Sequence, residues 1–117
     1  MSMMPFTQQM TVDGKRYIAV CRSIDVIERR GFRVELDIEH DLALFRVNGV
    51  AHCVTNICPH KREALMFDGY VDEGTVSCPA HGWRFDICTG RNISGGGGLR
   101  TYDVLERDGR VWVSVPE

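Results

Sequence analysis

Apolar and polar residues alternate with a period of two along most of this 117-residue chain. Val34, Leu36 and Ile38 alternate with Glu35, Asp37 and Glu39, which predicts a strand with one face in the core. The acidic side of that run reads as a solvated face or as protection of a sheet edge. Arg16 to Cys21 is a short apolar-rich run. Asp41 to Val47 and Val50 to Ile57 flank Asn48-Gly49, the strongest two-residue hairpin signal. Gly69 and Gly74 bracket another strand start, followed by Thr75-Val76-Ser77. Trp83, Phe85 and Ile87 then alternate with Arg84, Asp86 and Cys88 up to Thr89-Gly90. A last hairpin is predicted from Leu99 to Glu106 and Arg110 to Val115, turning at Asp108-Gly109.

Only Ser23 to Arg29 has a helical pattern, and it is barely two turns long. Many short strands separated by turn residues predict an all-β fold, an antiparallel sandwich or barrel. No internal repeat and no linker interrupts the pattern, so residues 1–117 are expected to form a single domain.

Composition narrows the function classes. With 44% hydrophobic and 26% charged residues the chain has a globular composition, not a disordered one. A formal net charge of -2 lacks the basic excess of nucleic-acid binders. No run approaches the roughly 18 apolar residues that span a bilayer, so no membrane is expected. Met1 to Met10 has neither a basic nor an apolar leader region, so a cytoplasmic location is expected. Five cysteines, an odd number, argue against a disulfide framework.

The chemistry concentrates in Cys58-Pro59-His60 and Cys78-Pro79-Ala80-His81. Each cluster brings one thiol and one imidazole from a short loop between strands. A Cys2His2 zinc site needs four such ligands, and ligand number alone does not exclude it. Zinc knuckles, however, more often pair Cys with Cys and His with His. A Cys/His loop facing another Cys/His loop also suits a mixed-ligand [2Fe–2S] centre, with two sulfur donors on one iron and two nitrogens on the other. Cys21, Cys53 and Cys88 lie in strand patterns and read as small buried hydrophobes. His40 and His52 read as surface or pairing residues.

From Val50 to Gly90 the sequence resembles the Rieske family. The residues that carry the resemblance are Cys58-Pro59-His60, Cys78-Pro79-Ala80-His81-Gly82-Trp83, Phe85-Asp86 and Thr89-Gly90. The resemblance implies a Rieske-like antiparallel fold with a smaller cluster-binding subdomain near residues 57–90. It implies one [2Fe–2S] cluster, with Cys58 and Cys78 on the inner iron and His60 and His81 on the outer one. Pro59, Lys61, Pro79, Ala80, Gly82, Trp83 and Phe85 would surround those ligands. The two prolines suit tight loops, and Gly82 suits a backbone conformation that side chains disfavour. Trp83 reads either as a shield or as core, and Lys61 and Arg62 either as a basic rim or as solvated turn charges.

In size the chain is similar to the Rieske ferredoxins of bacterial ring-hydroxylating oxygenases, with the small subunit of NADH-dependent nitrite reductases a close relative. That resemblance implies a one-electron carrier, reduced by a flavin-dependent NAD(P)H reductase and oxidised by a terminal oxygenase or reductase subunit. Rieske oxygenase catalytic subunits need a second iron held by two His and a carboxylate. No histidine follows His81, so no independent catalytic site is expected. The alternatives are a nitrite reductase subunit and, in a different class, a structural zinc module for protein interaction.

The chain also departs from the high-potential members of that family. Their extra loop cysteines correspond to Glu63 and Ala80 here, and their hydroxyl donors to cluster sulfur correspond to Trp83 and Phe85. Loss of such donors lowers the potential. Ser94-Gly95-Gly96-Gly97-Gly98 stands where the family usually has a proline-containing covering loop, and its glycines offer no side chain to shield the metal.

Overall fold

Four two-residue turns shape the chain, and each carries the residues that its backbone requires. Asp13-Gly14, Asn48-Gly49, Glu73-Gly74 and Asp108-Gly109 all have φ between +48° and +82°, the combination that matches the right-handed twist of paired strands. The computed structural model describes Phe6 and residues 8–59, 62–80 and 82–115. Its first strands are β1 (Gln9–Val12), β2 (Lys15–Arg22), β3 (Phe32–Glu35), β4 (Asp41–Val47) and β5 (Val50–Thr55). Then come β6 (Tyr70–Asp72), β7 (Thr75–Ser77), β8 (Arg84–Asp86), β9 (Thr101–Arg107) and β10 (Arg110–Ser114). Seven strands form one antiparallel sheet in the order β1-β2-β10-β9-β5-β4-β3, and β6-β7-β8 form a small second sheet. The expected all-β antiparallel architecture is borne out.

The β4–β5 hairpin is the wall between two cores. Leu42 and Leu44 point into the first core, with Val34, Cys53, Tyr102, Val111 and Val113. Ala43 and Phe45, on the opposite face, enter a second core with Val54, Met66, Val76, Phe85, Ile87 and both Cys58 and Cys78. Residues 42–45 are all at most 1% exposed, so this strand reads as a continuous apolar run instead of an alternating one. β5 follows the same rule, with Cys53 facing one core and Val54 the other.

Two expectations need correction. The strand expected through Ile38 ends at Glu35, and Ile38 is fully exposed at the tip of a turn. The Asp37 carboxylate accepts hydrogen bonds from the backbone N–H groups of Glu39 and His40, and Leu36 N–H donates to His40 O. This side-chain cap reverses the chain and offsets the β-pattern signal. His40 is 8% exposed and pairs with Asp37 through Nδ1 at 2.9 Å, so it is a pairing residue and not a surface one.

The helix expected from Ser23 to Arg29 is a single 3₁₀ turn, Ser23–Asp25. Arg46 ties the turn to the sheet. Its guanidinium donates to Ser23 O at 3.0 Å and Val26 O at 2.6 Å, and forms a two-pronged ion pair with Glu106 at 2.9 and 2.8 Å. Ser23 O also accepts from Val26 N–H at 3.2 Å, and Val26 is extended (φ -104°, ψ 105°) and buried in the first core, so the chain leaves helical geometry there. No helix among the described residues is long and apolar enough to cross a membrane.

These placements separate two isoleucine-like positions by consequence. Ile38→Ser is expected to leave the melting temperature nearly unchanged, since exposed substitutions cost within about 0.5 kcal/mol. Leu44→Ala is expected to cost about 2–5 kcal/mol. Thermal or denaturant unfolding of the two variants checks the assignment, and a large loss for Ile38→Ser would contradict the exposed turn.

Candidate metal centre

Two loops deliver the cysteines, and their backbones close in the same way. Cys58 follows β5; its N–H donates to Glu63 O at 2.9 Å, and its carbonyl accepts from Arg62 N–H at 2.7 Å. Cys78 follows β7; its N–H donates to Trp83 O at 2.8 Å, and its carbonyl accepts from Gly82 N–H at 2.9 Å. The residue that accepts the left-handed turn is Arg62 in one loop, at φ +58°, and Gly82 in the other, at φ +78°. Gly82 has the backbone role expected of it. Arg62 occupies the equivalent place, which its residue type does not advertise.

The two loops bring Cys58 Sγ and Cys78 Sγ to 3.4 Å from each other, at 0% and 2% exposure. None of the five cysteines is in a disulfide. A metal ion held at about 2.3 Å by two thiolates requires sulfurs closer than about 4.6 Å. The pair meets that requirement and is buried deep in the second core. Pro59, Pro79, Ala80 and Gly82 are exposed, so the loop tips face solvent while the sulfurs face inward. His60, Lys61 and His81 lie outside the described residues. Among the described residues no three possible metal ligands cluster.

Phe85 is fully buried, and Trp83 is half-buried against the second core, edge-on to Phe85 at 6.5 Å. Trp83 therefore belongs to the core that surrounds the sulfurs. Asn56, two residues before Cys58, fixes the first loop to the main sheet. Its Nδ2 donates to Asp41 Oδ1 at 3.0 Å, and its Oδ1 accepts from Phe67 N–H at 2.7 Å. Its backbone carbonyl accepts from Leu65 and Met66, and its N–H donates to Asp41 O. Asp41 is also gripped by Arg33 at 3.1 and 2.8 Å. Asn56 was not singled out from the sequence. A polar residue in an otherwise apolar strand end was its only signal.

The surroundings of two of the remaining thiols favour the neutral form. Burial pushes Cys53 up, and burial with Asp25 pushes Cys21 up to about 12. Cys88 corrects an expectation: it is exposed in the turn after β8 instead of buried in a strand. Asp86 ends that strand early, its carboxylate accepting from the N–H groups of Cys88 and Thr89. Cys88 Sγ lies 3.5 Å from His52 Nε2.

The shared loop backbone generates a test. Arg62→Gly is expected to keep or raise the stability of the folded protein, because glycine takes φ above zero without strain. Arg62→Val is expected to lose about 1–3 kcal/mol, since a β-branched side chain is strained there. Chemical denaturation of both variants gives the comparison, and equal stability of the two would show that the left-handed turn is not required.

Comparisons with known proteins follow the same lines. The Rieske [2Fe-2S] domain model matches residues 16–102. The ferredoxin component of the p-cumate 2,3-dioxygenase system of Pseudomonas putida is 36% identical over 107 residues, 90% of this chain and 91% of that one. The structure of the complex of reduced oxygenase and oxidized ferredoxin in carbazole 1,9a-dioxygenase contains a chain matched with TM-score 0.75 at 28% identity, over 82% of this chain and 99% of that one. A Mycobacterium tuberculosis structure assigned as an NADH-dependent nitrite reductase small subunit gives TM-score 0.78 at 26% identity, covering 94% and 98% of the two chains. Loops that pair buried cysteines at the ends of short strands, together with a family match across most of the sequence, lead to one conclusion: this chain belongs to the Rieske [2Fe-2S] domain family.

Proposed function

We propose that this chain is the ferredoxin component of a ring-hydroxylating oxygenase system, with Cys58, His60, Cys78 and His81 as the ligands of its Rieske cluster. The observation that carries the reading is the 3.4 Å approach of two buried cysteine sulfurs from loops with matching backbones. When bound, a Rieske cluster supplies a one-electron redox couple. The protein's own work is to hold and to insulate. Cys58 and Cys78 grip from the inside, and Met66, Val76, Phe85, Ile87 and Leu99 keep water from the sulfur side. Pro59, Pro79, Ala80 and Gly82 in the two loops are exposed to an approaching partner.

The partners follow from the relatives. The carbazole dioxygenase structure pairs a ferredoxin with its oxygenase, and we assign this chain an equivalent terminal oxygenase and a flavin-dependent NAD(P)H reductase upstream. The exposed Arg62, next to Lys61 in sequence, brings basic charge suited to an acidic partner surface. A cytoplasmic location fits five cysteines with no disulfide. The second reading is a small subunit of an NADH-dependent nitrite reductase, favoured by the match to the mycobacterial structure. Co-purification separates the two. A carrier exchanges between partners, and a subunit stays in fixed ratio with a larger redox chain.

Electron paramagnetic resonance of the dithionite-reduced protein is expected to give a mixed nitrogen/sulfur [2Fe–2S] signal, and an all-thiolate signal or silence would overturn the ligand set. Trp83 and Phe85 bring no hydroxyl toward sulfur, so the potential is expected toward the low end of the roughly -150 to +300 mV Rieske range. His81→Cys is expected to retain some cluster and to lower its potential, because a thiolate adds negative charge. An unchanged potential in that variant would remove His81 from the ligands.

A further inference from the structure

The glycine run of residues 95–98 is seated on an aromatic ring. Asn92, 7% exposed, organises residues 92–97: its Oδ1 accepts from Ser94 N–H at 2.9 Å, and its Nδ2 donates to Gly97 O at 3.1 Å. Ser94 Oγ accepts from Arg84 N–H at 3.1 Å, and Ile93 N–H donates to Arg84 O at 2.8 Å. The loop is therefore stitched to the residue after Trp83. Gly96 lies against the indole: a Cβ there would stand 3.4 Å from Trp83 Cη2 and 3.3 Å from Asn92 Nδ2. Gly95, with φ +90°, has open space where its Cβ would be. Trp83 also packs on the core that holds Cys58 and Cys78.

We propose that Trp83 is a positioning residue for the cluster, clamped by the Asn92 loop onto the sulfur side, with Gly96, at φ +120°, the point where the loop backbone meets the indole. The indole then keeps water from the cysteine sulfurs, a task for which the glycine run itself has no side chain. Water near the centre stabilises the more negative reduced state and speeds hydrolytic and oxidative loss, so opening this clamp raises the potential and shortens cluster lifetime.

This inference rests on the Rieske reading, and the experiment separates the two. The holoproteins to compare are wild type, Trp83→Ala, Trp83→Phe, Gly96→Ala and Gly95→Ala. The measurements are the half-life of visible absorbance in air, the reduction potential, and the resonance spectrum of the reduced state. Trp83→Ala and Gly96→Ala are expected to bleach several-fold faster and to shift the potential upward, with an unchanged ligand signature. Trp83→Phe is expected to fall between them and wild type. Gly95→Ala, at φ +90° against +120° for Gly96, also places a side chain on a left-handed backbone but makes no ring contact, and is expected to behave as wild type. If Gly95→Ala shifts as much as Gly96→Ala, general loop strain is at work and the clamp is overturned. Wild-type lifetime and potential in Trp83→Phe and Gly96→Ala also overturn it, even if Trp83→Ala fails to take up a cluster. A wild-type protein with no mixed-ligand signal would instead overturn the Rieske reading itself.

Discussion

The double burial of the β4–β5 hairpin governs everything built around it. Leu42 and Leu44 fill one core while Ala43 and Phe45 fill the other, so neither core exists without this strand pair. Each buried leucine or phenylalanine contributes about 1.5–3 kcal/mol on transfer from water. Because the same strands serve both sides, the cluster-binding loops are not an appendage on the larger sheet. They close a core whose floor that sheet provides, and the cysteines are among its apolar members.

An electron carrier changes its charge without the benefit of a large rearrangement, so its ligand loops have to be fixed by something other than the metal. Here the fixing is polar. Asn56 uses both its side-chain donor and acceptor and its backbone groups, and Asp41, on which it leans, is gripped by Arg33 from the outer strand β3. Arg33 also lies over the Phe67 ring at 5.7 Å. The chain of contacts Arg33–Asp41–Asn56–Phe67 runs from the edge of the large sheet into the first loop. Such networks, when fully satisfied, specify one geometry more sharply than apolar packing does.

Local chemistry explains what could be read in advance. Asn48-Gly49 and Asp108-Gly109 marked their hairpins because turn geometry depends on the residues in the turn itself. Asp13-Gly14 carries the same signal, yet β1 went unread because its flanking residues alternate weakly. Ile38 misled because periodicity does not register that the Asp37 carboxylate has captured two backbone N–H groups. The four proposed ligands, Cys58, His60, Cys78 and His81, are marked by spacing and paired prolines. Asn56 and Arg62 did not, since one acts through partners distant in sequence and the other through the sign of a single dihedral angle. Trp83 and the glycines were legible only as separate features; their contact is a property of the folded chain.

The matching closure of the two cysteine loops has a thermodynamic consequence. Each loop is completed by its own hydrogen bonds, so the two sulfurs belong to independently shaped halves separated by 20 positions in sequence. Anything that bonds both sulfurs acts as a cross-link between those halves. By the loop-closure estimate used for disulfides, joining a segment of that length removes unfolded-state entropy equivalent to about 3 kcal/mol. For a chain of this size that is a sizeable part of its total stability. Redox cofactor and structural staple are then the same object, and loss of the cofactor weakens the fold that would receive a replacement.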